Sequence, residues 1–215
     1  MRVISWNLLR QVGAEVRDVA ALIEENQPDL LLMQEATENM AGIHSLRGGS
    51  YFREPLPGRI YGLAVWSPHW LDAPTAVRLP ASVMPGQVPP RMAQIVHLGG
   101  VTFANVHLSH GQFLNRLQLR HIARPLAGPA AIIGDYNALG PVALSGFRDV
   151  GPRQPTCRAS DVFPFRLDRC MARGLHCSEA KVLGRGLSDH HPIMMTLTIA
   201  TAAPMAMQAR RSVAG

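Results

Sequence analysis

The feature that most constrains this chain is a series of short Val-, Ile- and Leu-rich runs, cut apart by Gly and Pro and interrupted by only two stretches of helical period. Residues 3–6, 30–34, 60–67, 93–98, 101–108, 131–134, 165–171, 178–183 and 192–199 read as strands. Val16, Val19, Ala20 and Ile23 lay an i, i+3, i+4, i+7 stripe on a helix stopped near Pro28. Leu119, Ile122, Ala123 and Leu126 mark a second helix. Gly99-Gly100, between two strands, is a two-residue hairpin signal. Strands interleaved with helices predict an α/β fold. Residues 138–160, rich in Gly, Pro and Arg without period, predict a long loop, and the last stretch reads as a frayed tail.

Composition excludes several classes. Apolar residues make up 47% and charged residues 17%, against about 25% charged in an average domain, so disorder, collagen and coiled coil are ruled out. No apolar run approaches the roughly 20 residues that span a bilayer. The N-terminal segment lacks the apolar stretch of roughly 7–15 residues that a secretory signal carries behind a basic start, and the chain is expected to be cytoplasmic. Cys157, Cys170 and Cys177 show neither C-x-x-C nor zinc-finger spacing and read as reduced thiols. The net charge is +6, and Lys181 is the only lysine among 21 basic residues. A basic balance attracts polyanions and makes nucleic acid a reasonable partner, although an Arg-rich genome and a basic tail at Arg210 and Arg211 produce the same number.

The chemistry-bearing residues cluster at strand ends. Asn7 closes the first strand and Glu35 the second; Asp135 and Asn137 follow the Ile132-Ile133-Gly134 strand; Asp168 lies in a late strand; Asp189-His190 precede the last. Loops at one edge of a sheet carry function while the strands hold them rigidly. Carboxylates and amides are hard oxygen donors, suited to Mg²⁺ or Mn²⁺ rather than to structural zinc.

Taken in order, Trp6-Asn7, Gln34-Glu35, Asn105-Val106-His107-Leu108, Gly134-Asp135-Tyr136-Asn137-Ala138, Leu167-Asp168-Arg169 and Ser188-Asp189-His190-His191-Pro192 resemble the endonuclease/exonuclease/phosphatase superfamily. The resemblance implies a four-layer α/β sandwich, two mixed β-sheets packed face to face with helices outside. It implies a catalytic domain over 1–200 followed by a flexible tail over 201–215. It also implies metal-dependent attack of water on a phosphoester. On that reading Glu35, Asn7 and Asp189 would be metal contacts. Asp135 would orient or deprotonate the water, with Asn137 on the same face if the chain stays extended. His190 would contact the scissile phosphate, its ring oriented by Asp168. His107 would donate to a phosphate oxygen or to the leaving group, its free pKa lying near working pH. Asn105 and Arg91 would bind substrate.

Read singly, each residue has an ordinary explanation. Asn7, Asp135 and Asn137 suit turns, Glu35 a cap or surface position, and His107 a satisfied core histidine. Leu8-Leu9 after Asn7 and Ala36-Thr37 after Glu35 depart from the abasic-site endonuclease branch and tell against that specialisation. The leading expectation is a Mg²⁺-dependent (or Mn²⁺-dependent) phosphodiester hydrolase, a nuclease acting on nucleic acid. The alternative is a phosphatase or a sphingomyelinase-like phospholipid phosphodiesterase using the same site.

Overall fold

The computed structural model describes residues 1–10, 12–82, 89–159, 163–184 and 186–200. The tail expected over 201–215, with Arg210 and Arg211, lies outside the described residues. One mixed six-stranded sheet contains β1 (Arg2–Asn7), β2 (Leu30–Thr37), β3 (Ser50–Pro55), β4 (Tyr61–Ser67), β13 (Leu175–Val182) and β14 (Ile193–Ile199), in the order β13-β14-β1-β2-β4-β3. The other contains β5 (Thr75–Arg78), β6 (Met92–Leu98), β7 (Val101–His107), β8 (Ala130–Asp135), β9 (Arg148–Asp149) and β12 (Asp168–Arg173), in the order β5-β6-β7-β8-β12-β9. The central pairs β1–β2 and β7–β8 are parallel and their neighbours antiparallel. A separate two-stranded ribbon joins β10 (Cys157–Ala159) to β11 (Phe163–Phe165). Helices α1 (Val16–Asn26) and α2 (Gly42–Arg47) cover the first sheet, and α3 (Gln112–Ala123) the second.

Alternation along the strands builds the layers. Ile4, Trp6, Leu31 and Met33 face outward onto Val19 and Ile23 of α1 and Ile43 of α2. Ala104, Val106 and Ile132 face Leu119 and Ile122 of α3. Between the sheets lie Val3, Leu30, Leu32, Phe103, Ala131, Ile133, Ile193 and Met195. The expected four-layer sandwich is therefore present. Among the described residues, no helix is long and apolar enough to cross a membrane.

The same inter-sheet face turns polar toward the C-terminal ends of β1, β2, β7 and β8. Val3 is followed at period two by Ser5 and Asn7, Leu32 by Gln34, Phe103 by Asn105 and His107, and Ile133 by Asp135. Where the polarity begins, a buried amide cluster joins the sheets. Gln34 Nε2 donates to Asn105 Oδ1 (2.7 Å) and to Ser5 Oγ (3.0 Å). Asn105 Nδ2 is shared among Met33 O (3.1 Å), Ala64 O (3.0 Å) and Gln94 Oε1 (3.2 Å). Asn105 is fully buried and wholly engaged, which corrects its expected role in binding substrate: it clasps two sheets and presents no atom to solvent.

Other differences have local causes. The strand expected over 165–171 is broken, because Thr156 Oγ1 accepts from the amides of both Leu167 (3.1 Å) and Asp168 (2.9 Å) and turns the chain from ribbon into sheet. The expected loop over 138–160 carries β9 and the first ribbon strand. Strand β3 escapes pattern reading because it is an edge strand, partly exposed on both faces. The helix around Leu119 ends at Ala123, although Leu126 still packs in the same cluster. Gly99 and Gly100 take positive φ (56° and 77°) and close the expected hairpin.

Replacing Asn105 by Ala leaves the Met33 and Ala64 carbonyls and the Gln34 amide short of partners inside the sandwich. Urea unfolding of Asn105→Ala is expected to show a loss of about 2–4 kcal/mol. A loss within about 0.5 kcal/mol, as for an ordinary surface substitution, would mean that the clasp does not hold the sheets.

Candidate active site

The polar strand ends converge on Asp135, the last residue of β8. Gly134 before it has φ of 146°, and a Cβ there would sit 2.0 Å from Val106 O, so only glycine lets β8 lie this close to β7 and deliver Asp135 to the seam. Asn7 Nδ2 reaches across from the first sheet to Asp135 Oδ2 (3.1 Å). His107 Nε2 lies 3.4 Å from the same oxygen. Asp168 is the register partner of Asp135 on the neighbouring strand. Its Oδ2 lies 2.8 Å from His190 Nδ1, and His190 Nε2 lies 3.9 Å from Asp135 Oδ2. His190 comes from the loop before β14, where Ser188 Oγ donates to Asn7 O (2.7 Å) and accepts from the His190 amide (3.1 Å). Trp6 Nε1 donates to His190 O (3.0 Å). The first strand therefore positions the last loop directly.

Asn137 reaches the site by a different route from the one expected. It adopts a left-handed conformation, φ 47°, so the chain does not stay extended past Asp135. The resulting Asx turn brings the Asn137 amide onto Asp135 Oδ1 (2.9 Å), while Asn137 Nδ2 donates to Leu108 O (2.9 Å). The reading of Asn137 by strand period is thus corrected: it shapes and holds the Asp135 carboxylate through a turn. Arg169 Nη2 donates to Gly140 O (2.7 Å) and pins the loop that follows.

Glu35 sits at a β-bulge where the β2–β4 register slips between Gln34 and Ala36. Its φ of 56° is unusual for a residue with a side chain. The bulge interrupts the alternation and leaves the carboxylate partly accessible, with Oε2 accepting from Arg10 Nη1 (3.0 Å) and from the Arg10 amide (3.2 Å). The Arg10 guanidinium stacks 4.6 Å from the Tyr61 ring centroid. Arg91, just before β6, is buried, and its Nε and Nη1 have no hydrogen-bond partner among the described residues. Burial pushes its pKa down, opposed by Tyr61, Asp135 and Glu35.

The two histidines differ in charge. Burial, reinforced by the Arg91 guanidinium, pushes His107 down to about 3 against the opposing pull of Asp135. His107 is therefore a neutral ring at physiological pH, and its 3.4 Å approach to Asp135 is not an ion pair; the free pKa near working pH that suited it to proton transfer does not survive burial. Burial also disfavours the charge on His190, but the carboxylates of Asp168 and Asp135 more than offset it and hold the ring well above the ordinary range. Asp189 is half-buried, and its Oδ1 is enclosed without a partner among the described residues.

The oxygen donors fit a hard divalent cation. Glu35 already holds a cation, the Arg10 guanidinium, and Asp189 keeps an unpaired buried carboxylate oxygen. Three contributors have no role in the sequence reading. Ser188 stands inside the Ser188–Pro192 motif, but it and Thr156 act through hydroxyls on backbone contacts distant in sequence, which no local pattern reveals. Arg10 had no signal beyond its charge.

A proton binds the unfolded His107 imidazole near pH 6.5 but the folded one only near 3. Between those values the unfolded chain holds the extra proton, so this contribution to stability is complete above about pH 6.5 and is lost progressively as pH falls. Thermal midpoints followed from about pH 7 to 4 are expected to fall less steeply for His107→Gln than for the unsubstituted protein. Parallel slopes would remove the linkage.

The chain is similar to solved structures over most of its length. One is a functionally unknown conserved protein from Enterococcus faecalis V583 (TM-score 0.75, 19% identity, 93% of this chain and 100% of that one). Another is an endonuclease/exonuclease/phosphatase from Bacteroides vulgatus (TM-score 0.76, 15% identity, 92% and 98%). A third is D. rerio TDP2 humanised by 14 mutations (TM-score 0.72, 16% identity, 92% and 98%). At these identities the likeness shows the fold. The comparison with curated proteins found no match. The Endonuclease/Exonuclease/phosphatase family profile matches residues 4–190, from β1 to His190, and with it the chain belongs to this family of phosphoesterases.

Proposed function

We propose that this protein hydrolyses phosphodiester bonds of nucleic acid by attack of water on phosphorus. The observation that carries the reading is the continuous polar line Asp168–His190–Asp135–Asn7, with contacts of 2.8, 3.9 and 3.1 Å, crossing the seam between the sheets. Asp135 is the group placed to orient the water and take its proton, its carboxylate fixed by Asn7 and Asn137. His190, held charged by Asp168, meets the negative charge that grows on the phosphate oxygens. Neutral His107, with Nε2 3.4 Å from Asp135 Oδ2, lines the carboxylate and carries no charge. A divalent cation held by Glu35 with Asn7 and Asp189 would supply neutralisation of the phosphate and support for the leaving oxygen.

Arg91 supports an anionic substrate independently. A buried guanidinium with two unpaired nitrogens is costly, and a phosphate oxygen is the partner that geometry and charge both suit. The net charge of +6 extends the same preference to a polyanion.

Purified protein is expected to nick supercoiled plasmid in Mg²⁺ and to stop when a chelator is added. His190→Ala is expected to lower the rate about 10²–10⁴-fold. No nicking by folded protein in Mg²⁺ would overturn the nucleic-acid reading, and cleavage of a small phosphoester under the same conditions would identify the substrate class instead. Arg91→Ala is expected to cost about 10²–10³-fold, with the loss smaller on substrates lacking a phosphate charge. An Arg91→Ala rate equal to wild type would remove Arg91 from substrate binding.

A further inference from the structure

The backbone brings a cysteine into the seam that the phosphoesterase reading does not use. Cys157, the first residue of the two-stranded ribbon, forms an isolated antiparallel bridge with His190. Two hydrogen bonds flank the bridge, from the His191 amide to Thr156 O (2.6 Å) and from the Arg158 amide to Asp189 O (3.1 Å). Directly opposed residues project to the same side of such a pair. The Cys157 sulfur, a carboxylate oxygen of Asp189 and a ring nitrogen of His190 all lie within 4.8 Å of one another. Cys157 and His190 are both buried, and Asp189 Oδ1 is enclosed without a partner.

We propose that Cys157, Asp189 and His190 form a soft-metal site that binds Zn²⁺ and, on the reading of His190 given above, inhibits the enzyme. A thiolate, an imidazole and a carboxylate are the donors of a tetrahedral zinc site with one open position, and a thiolate is a donor that Mg²⁺ does not take. Zinc–ligand bonds of about 2.0–2.3 Å require donors roughly 3.5 Å apart, so side-chain adjustments of about an ångström close the site. Asp168 already fixes the imidazole plane through Nδ1. Binding releases two protons, one from the Cys157 thiol and one from the His190 imidazolium, which must be neutral to ligate, and no electron is transferred. The cost to the enzyme is direct, because the ring and the carboxylate that bind zinc are withdrawn from the phosphate and from the hard cation.

Cobalt(II) is the probe that reads the site without reference to activity. Titrating the full chain with Co²⁺ is expected to give a near-ultraviolet thiolate-to-metal charge-transfer band saturating at about one equivalent. Added Zn²⁺ abolishes the band. Cys157→Ser is expected to lack it, while Cys177→Ser, whose thiol is outside the cluster, retains it. X-ray absorption of the zinc-loaded unsubstituted protein needs no variant and is expected to show one sulfur in the first shell. In Mg²⁺-dependent nicking, the Zn²⁺ concentration for half inhibition is expected to rise more than about 100-fold in Cys157→Ser, since even an outer-shell partner is worth about 10–100-fold. No charge-transfer band in the unsubstituted protein, a band surviving in Cys157→Ser, or a shell without sulfur would each overturn the site. Absence of nicking altogether would defeat the nuclease reading and leave the cobalt result to decide the metal site alone.

Discussion

Everything in this protein depends on one interface, the face-to-face contact of two six-stranded sheets, which is apolar at one end and polar at the other. At the apolar end, Val3, Leu30, Leu32, Phe103, Ala131 and Ile133 exclude water and supply the driving force for stacking. At the polar end, Asn7, His107, Asp135 and Asp168 occupy the same layer. The transition is made by amides. Gln34 and Asn105 satisfy one another and the backbone, so the polar layer begins without leaving an unpaired group at its base. Above them the pairing becomes incomplete, and the buried atoms without partners include Arg91 Nη1, His107 Nδ1 and Asp189 Oδ1. A folded protein tolerates such groups where a ligand completes them.

Burial also divides the labour of the two histidines. Both are enclosed, yet His107 faces the Arg91 guanidinium while His190 is flanked by two carboxylates. One is therefore neutral and the other charged under the same solvent conditions. The division follows from which strand supplies each neighbour: Arg91 immediately precedes β6 beside β7, and Asp168 opens β12 beside β8.

The same crowding that completes the phosphoesterase site brings Cys157 into it. The ribbon strand and the segment 189–191 are joined by backbone hydrogen bonds that have nothing to do with catalysis. Their pairing nevertheless sets a thiol beside an imidazole and a carboxylate, a donor set softer than the carboxylate of Glu35 alone.

Strand positions were legible because a period of two is a local property. Residues 3–7, 101–107 and 131–135 each show apolar alternation running out into a polar residue, and the ordered motifs marked Asn7, Glu35, Asp135, Asp168 and His190 as a set. Local pattern alone settles which residues share one face of each strand and that their polar ends are chemically matched. The fold makes Asn105 a clasp, turns Asn137 back on Asp135, brings the Glu35 bulge to Arg10, and sets Cys157 opposite His190. Alternation is set by neighbouring residues along one strand, whereas hydrogen bonding and charge depend on groups brought together from far along the chain, 184 positions apart for Trp6 and His190.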